Sequence, residues 1–274
     1  MAPDAPVQLL AGIEALFLVY LATIVLSMIQ VQALSRHFED KKRGTVKAVD
    51  NVSFSVGKGE IFGLLGPNGA GKSTTLRLIS TLLKPTSGTA TINGFNISSN
   101  PADVRRQVGF LTGDMGLYAR LTPREILQFF GRLAEVPEQD LNRRTGELIE
   151  RLDMKDFADT RADKLSSGMK QKTAIARTLV HDPPVLILDE PTATLDLPTA
   201  RVIEASILEA KRMGKCIIYS THIMEEAEYL CDRIAVINHG QLKISGTMDE
   251  LRAATGKQRL REIFLDLLEL PSAA

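Results

Sequence analysis

The sequence predicts an α/β fold: a mixed sheet flanked by helices, with an N-terminal antiparallel β subdomain and an α-helical subdomain inserted between sheet strands. Three observations carry that prediction. Short apolar runs at Ile61–Leu65, Val185–Leu188 and Cys216–Ser220 read as strands buried on both faces, the habit of parallel sheets. Before them, Val31–Leu34 and Val46–Val56 read as alternating strands joined through the charged loop Glu39–Gly44, an antiparallel hairpin. Between residues 122 and 180 the apolar residues recur at helical spacing.

The chain opens on a different texture. Pro6 to Ile29 is nearly all apolar, with Glu14 the only charge inside it. Its length approaches the ~20 residues that cross a bilayer, and it lacks the basic leader and small-residue cleavage site of a signal peptide. Three readings stay open: a start upstream of the domain's own at Met28, a packed or amphipathic helix, or a membrane span. A span would leave Arg36, Lys41, Lys42 and Arg43 on the cytoplasmic side, but the strand from Ile29 follows with no linker. The expected organisation is an extension over residues 1–27, a domain over 28–268 with its helical subdomain near 114–180, and a tail at 269–274.

After the hairpin and the Ile61–Leu65 strand comes Gly66-Pro67-Asn68-Gly69-Ala70-Gly71-Lys72-Ser73-Thr74, followed by a periodic helix over Lys72–Leu83. A buried strand, a glycine-rich turn and a helix start make G-x-x-x-x-G-K-[ST] a phosphate cradle. Its glycines leave no Cβ in the way, so backbone N–H groups converge on an anion at the positive end of a helix. Lys72 then reaches the β- and γ-phosphates and the Ser73 hydroxyl ligates Mg²⁺, which makes this a nucleoside triphosphate site. Upstream, the Phe38 ring is placed either to stack on a base or to anchor a strand end.

Further on, Thr89–Ile92 reads as a strand entering an Asn93-Gly94 turn, and Val108–Leu111 as another. Thr122-Pro123-Arg124-Glu125 combines a capping box with proline at the first helical position, opening a helix to about Ala134; a second runs from Glu138 to Leu152. Leu165-Ser166-Ser167-Gly168-Met169-Lys170-Gln171 starts a helix to about Val180. Ser166, Ser167 and Gly168 there make either a second anion-binding helix end or a simple N-cap. Pro183-Pro184 precedes the Val185–Leu188 strand, which ends in Asp189-Glu190. In an open α/β sheet that end is where ligands bind, so Asp189 is expected to hold Mg²⁺ and Glu190 to orient or deprotonate water. A helix with Pro198 in its first turn runs to Met213. His222 emerges at the end of the next strand, placed for a γ-phosphate contact. A hairpin, Arg233–Asn238 and Gln241–Ser245 around His239-Gly240, and an amphipathic segment, Leu260–Leu268, close the domain.

Composition narrows the function. The 274 residues carry 33 basic and 33 acidic side chains, so no dominant nucleic-acid field exists. Cys216 and Cys231, the only cysteines, have no metal-like spacing and read as buried, reduced thiols of a cytosolic protein.

Together, Phe38, Gly66–Thr74, Leu165–Met169, Asp189-Glu190, Leu195-Asp196 and His222 resemble, in that order, the ATP-binding cassette ATPases, the motor subunits of ABC transporters. The likeness spans about Met28 to Leu268, and other P-loop proteins lack the Leu165–Met169 element. It implies that Phe38 stacks on adenine, that Gly66–Ser73 is Walker A, and that Asp189 and Glu190 are the Walker B aspartate and the catalytic glutamate. By the same resemblance Leu165–Met169 is the signature that caps the γ-phosphate of a second subunit, Asp196 belongs to the D-loop and His222 is the switch histidine. The cofactors implied are ATP and Mg²⁺; the partners are a second copy in a head-to-tail dimer and a separate membrane permease, with no nucleic acid. Location at the cytoplasmic face of the membrane follows.

Three departures qualify the likeness. The signature has Ser167 and Met169 where the family has Gly and Gln, and Thr194 stands at a frequent D-loop Gly. Thr112-Gly113-Asp114 replaces the glutamine that touches the metal's water shell; Gly113 has no side chain for that contact, and Asp114 is the residue able to take it over. The wording around residues 111–114 and 167–172 is most similar to bacterial ABC-2 type and NatA-like sodium-efflux exporter ATPases. The alternative is a soluble cassette ATPase acting on ribosomes or DNA, which usually carries a coiled-coil insertion, zinc cysteines or two cassettes.

Overall fold

The computed structural model describes residues 27–41, 44–113, 116–193 and 195–269. The apolar extension up to residue 26, Lys42, Arg43, Asp114, Thr194 and the last residues of the tail lie outside the described residues. In chain order the first strands are β1 (Ser27–Asp40), β2 (Gly44–Gly57), β3 (Ile61–Leu65), β4 (Ser87–Ile92) and β5 (Phe95–Asn96). They are followed by β6 (Val108–Leu111), β7 (Val185–Asp189), β8 (Cys216–Thr221), β9 (Arg233–Asn238) and β10 (Gln241–Gly246). The described helices are α1 (Lys72–Ile79), α2 (Pro101–Gln107), α3 (Pro123–Leu133), α4 (Glu138–Arg151), α5 (Ser167–Leu179), α6 (Leu197–Arg212), α7 (Met224–Leu230), α8 (Met248–Thr255) and α9 (Leu260–Glu269).

Two sheets organise these elements. The first is antiparallel, in the order β2-β1-β4-β5; the second runs β10-β9-β3-β8-β7-β6 and is parallel except at β10. The parallel strands are apolar throughout because both faces are covered. In β7, Val185 and Ile187 enter the core shared with the antiparallel sheet, while Leu186 and Leu188 enter the core beneath the helices. Phe54 of β2 stacks on Phe62 of β3 with ring centroids 4.8 Å apart, which joins the two sheets.

Helices α3, α4 and α5 occupy the connection between the adjacent strands β6 and β7. Ile126, Leu127, Leu141, Leu148 and Ile149 pack into the same cluster as Leu111, Leu186 and Leu188. The capping box at Thr122 forms as the sequence predicts: its hydroxyl accepts from Glu125 N–H, and Glu125 accepts from Thr122 N–H. Asn93-Gly94 is a two-residue turn between the paired Ile92 and Phe95, with positive φ at both residues.

Several expectations need correction. The hairpin is longer than read: its strands run to Asp40 and resume at Gly44, so Glu39 pairs with Thr45 rather than standing in a loop. Its alternation is also broken. Ala33 and Asn51 both have positive φ, so the core positions step from Val31 to Leu34 and from Val49 to Val52. Ser53 and Ser35 hydroxyls accept the N–H groups of Ala33 and Asn51, which makes the irregularity tolerable. The helix expected to reach Leu83 stops at Ile79, because Thr81 takes positive φ and Leu82 and Leu83 N–H groups return to the Arg77 carbonyl. Helices α2, α7 and α8 add to the expected elements, and the N-cap Thr247 and Glu250 of α8 form a capping box visible as T-x-x-E. Both cysteines are free; Cys216 is buried and Cys231 half-buried, and burial pushes both thiols up.

Candidate functional site

All five residues of β3 are buried, and the strand delivers the chain to Gly66 at the edge of the core. Two of the turn's glycines are required by space. A Cβ on Gly66 would lie 2.4 Å from the Ile237 carbonyl, and one on Gly71, at φ +107°, would lie 2.4 Å from the Ala48 carbonyl. The turn is closed by Ala70 N–H donating to Pro67 (3.1 Å) and braced from outside by Gly240 N–H donating to Ala70 (2.8 Å). Helix α1 then starts at Gly71 with no side-chain cap and no acidic residue in its first turn. Its leading N–H groups and about half a positive elementary charge therefore face the turn. The open cavity there, about 150 Å³, is lined by Asn68, Gly69, Gly71, Lys72, Ser73, Thr74 and Glu190, with Pro67 and, from β2, Ala48.

The Lys72 amine is buried and donates to the carbonyls of Gly66 (2.7 Å) and Pro67 (3.2 Å). A buried ammonium needs such acceptors, and it takes a charged one too: Glu190 Oε1 stands 3.2 Å away. The same oxygen lies 3.3 Å from His222 Nδ1. Lys72, Glu190 and His222, predicted from three separate stretches, thus meet at one carboxylate oxygen. Glu190 has φ +48°, a conformation costing about 1–3 kcal/mol in a residue with a Cβ. Ser220 compensates: its carbonyl and hydroxyl both accept from Glu190 N–H, at 3.1 and 3.2 Å. The Ser220 proton goes to Asp189 Oδ1 at 2.6 Å, so one β8 serine orders the Asp189 carboxylate and the Glu190 backbone. Sequence reasoning missed Ser220, although its place beside Thr221-His222 at a strand end is a usable signal.

The remaining predicted residues lie elsewhere. Phe38 is partly exposed near the far end of the hairpin, with the Arg36 guanidinium 4.6 Å from its ring centroid. Ser166 caps α5, its hydroxyl accepting from Met169 N–H at 3.3 Å. Asp196 caps α6 through Thr199 N–H (2.8 Å), and hydrogen bonds from the Thr199 N–H and hydroxyl hold its carboxyl below the usual range. Gly168 packs against Thr199, with room for a Cβ only 3.2 Å from that side chain, so the two capped helix ends sit together. Gln171 of α5 donates to the Pro191 carbonyl (2.7 Å), linking them to the loop beyond Glu190. None of Phe38, Ser166, Ser167, Gly168 or Asp196 lines the cavity around Lys72. Asp114 lies outside the described residues.

A family model described as ABC transporter matches residues 49–193, from Val49 of β2 through the loop after Glu190. The chain belongs to the ABC transporter ATP-binding family. This ABC ATPase is 42% identical over 242 residues to the ABC transporter ATP-binding protein NatA of Bacillus subtilis (strain 168), covering 88% of this chain and 98% of that protein. It is 35% identical to the daunorubicin resistance ATP-binding protein DrrA3 of Streptomyces coeruleorubidus, over 85% of this chain and 74% of that one. Among solved structures, an ATP-binding subunit of an ABC transporter superposes with TM-score 0.80 at 31% identity, covering 89% of this chain and all of the other. A dimeric post-hydrolysis state of the cassette MJ0796, bound to ADP and phosphate, superposes with TM-score 0.74 at 26% identity over 80% of this chain and 98% of that one. The expected fold is therefore that of the cassette ATPases, with nucleotide binding and ATP hydrolysis as the family's chemistry. Among the described residues no helix is long and apolar enough to cross a membrane.

Mg²⁺ fits the donors present. Ser73 supplies a hydroxyl, and Asp189 a buried carboxylate aligned by Ser220. Magnesium favours such hard oxygens and commonly takes few from the protein, completing its shell with phosphate and water.

Proposed function

We propose that this chain is the motor subunit of an exporter, hydrolysing ATP–Mg²⁺ to drive a separate membrane permease. The observation that carries the hydrolytic reading is the meeting of Lys72 and His222 at one oxygen of Glu190, a residue that lines the glycine-rich cavity. Gly66–Thr74 cradle the phosphates and Lys72 exchanges its carbonyl and carboxylate partners for phosphate oxygens. Glu190, released from Lys72, orients or deprotonates the attacking water, and His222 contacts the γ-phosphate. Ser73 and Asp189 hold the magnesium, which would neutralise phosphate charge; Asp114 is the third candidate ligand.

The dimer reading rests on what one chain leaves unmade. Ser166, Ser167, Gly168 and Asp196 lie away from their own cavity, so in a head-to-tail pair they serve the nucleotide held by the second copy, while Phe38 stacks on adenine. For the permease, the supporting surface is a groove between β6 and helices α3 and α5. It is lined by Phe110, Tyr118, Phe130, Leu133 and the buried Arg177, with Phe129 beside it. Tyr118, Phe129 and Leu133 are exposed apolar side chains there, and such a patch marks an interaction site. The names of two relatives, a probable multidrug ABC transporter ATP-binding protein of Escherichia coli and the daunorubicin resistance protein DrrA3, support export as the direction of transport. The domain acts as residues 28–268, peripheral at the cytoplasmic face, with residues 114–180 as its helical subdomain.

The test is Glu190→Gln. It should bind ATP, trap a dimer on gel filtration and lower turnover by on the order of 100-fold or more. Turnover at the parent rate would refute the assignment of the water-activating group. Purification from native membranes in mild detergent should bring down a polytopic membrane protein in comparable amount; ribosomes or DNA-repair proteins instead would favour a soluble role.

A further inference from the structure

Behind His222 lies a set of hydroxyls that the site described so far does not use. Glu226, in the first turn of α7, accepts from three of them. Its Oε1 takes the Thr192 hydroxyl at 2.7 Å, and its Oε2 takes Thr221 at 2.7 Å and Tyr219 at 3.0 Å. Thr192 and Tyr219 also touch each other at 2.8 Å. All three hydroxyl residues are buried, Tyr219 completely. Burial, reinforced by the Glu226 charge, pushes the Tyr219 phenol up, so it stays protonated as a donor.

The positions of these partners are what matter. Thr192 stands two residues after Glu190, on the loop leading towards Asp196. Thr221 immediately precedes His222, and its hydroxyl also accepts from Ile223 N–H at 3.0 Å, so the backbone is held on both sides of the histidine. One carboxylate thus ties the turn that carries Glu190 to the strand end that carries His222. An apolar core could pack here, but it would not fix direction. Three charge-assisted hydrogen bonds converging on one planar group do.

We infer that Glu226 is a positioning residue for ATP hydrolysis, setting His222 against Glu190 without touching the nucleotide. This rests on the hydrolytic reading above. Misplacing a reacting group by about 1 Å can cost on the order of 100-fold in rate, so the effect should fall on turnover and not on binding.

The experiment uses the full-length protein with Glu226→Gln, which keeps the shape but replaces one acceptor oxygen with a donor. Turnover should fall by about 10–100-fold with the ATP dissociation constant unchanged. The chain has four histidines, so the His222 ring resonance can be assigned by its loss in His222→Ala. That resonance should move in Glu226→Gln while the other three hold still. Thr192→Val, remote from His222 in sequence, should move it as well; this variant also decides the matter if Glu226→Gln fails to fold. An unmoved His222 signal in the folded variants would overturn the proposal. So would a loss of ATP affinity equal to the loss of turnover. Glu190→Gln run in parallel separates the two claims. Parent-rate turnover there refutes the hydrolytic assignment, whereas a normal loss with an unmoved His222 refutes only the role of Glu226.

Discussion

Helix α1 and helix α5 both begin with small residues at the edge of the same α/β core, yet their N-termini are finished in opposite ways. At α1 the N-cap residue is Gly71 in a left-handed conformation, with no side chain offered to the free N–H groups. At α5 the Ser166 hydroxyl closes on Met169 N–H, and at the neighbouring α6 Asp196 closes on Thr199 N–H. The N–H groups of an uncapped helix end need water or another partner, because unsatisfied donors cost free energy once water is excluded. On the proposed reading, the difference separates the end that takes this chain's own phosphate from capped ends that would face a second copy.

The largest expected effect breaks the open end. Lys72→Ala removes the buried cation and should lower ATP affinity by ~100-fold or more, measured by titration with a fluorescent nucleotide, with the fold retained. Gly71→Ala should come next. Its φ of +107° and the Ala48 carbonyl 2.4 Å from the new Cβ leave the residue no relaxed position. A melting curve should report a loss of at least about 1–2 kcal/mol, together with weakened nucleotide binding. Ser166→Ala sharpens the contrast: it removes a cap, so stability should fall by about 1 kcal/mol while ATP affinity of the monomer is untouched. A matching loss of monomer affinity would mean that Ser166 serves its own chain's nucleotide.

The smallest effect is a pH dependence at the second capped end. The folded-state pKa of Asp196 lies below its ordinary 3.8. Its contribution is therefore complete above that value and lost as pH falls through the lower, folded-state value. Asp196→Asn should flatten the acid limb of the melting temperature below about pH 4 and leave the neutral range nearly unchanged.

The site was unevenly legible. Gly66–Thr74, Asp189, Glu190 and His222 could be placed from sequence because each stands at a strand end, where a buried apolar run reveals its own terminus. Ser220 and Glu226 could not. A serine inside a strand and a glutamate on a short amphipathic helix look ordinary until Asp189, Glu190 and Thr192 are brought beside them. The hairpin failed for a related reason. Positive φ at Ala33 and Asn51 shifts the alternation, and neither residue announces it, because hydroxyls on the paired strands supply the compensating bonds.

By itself the sequence determined the order of the buried strands and the longer helices, the glycine-rich turn and the charged residues able to do chemistry. Those depend on periodicity, turn chemistry and spacing within a few residues. Only the tertiary structure decided that Lys72 and His222 share one oxygen of Glu190, that Ser220 holds the Asp189 carboxylate and the Glu190 backbone, and that Glu226 gathers three hydroxyls. Those contacts join residues far apart in the chain, and their geometry is fixed by parallel strand register and the close packing of the core.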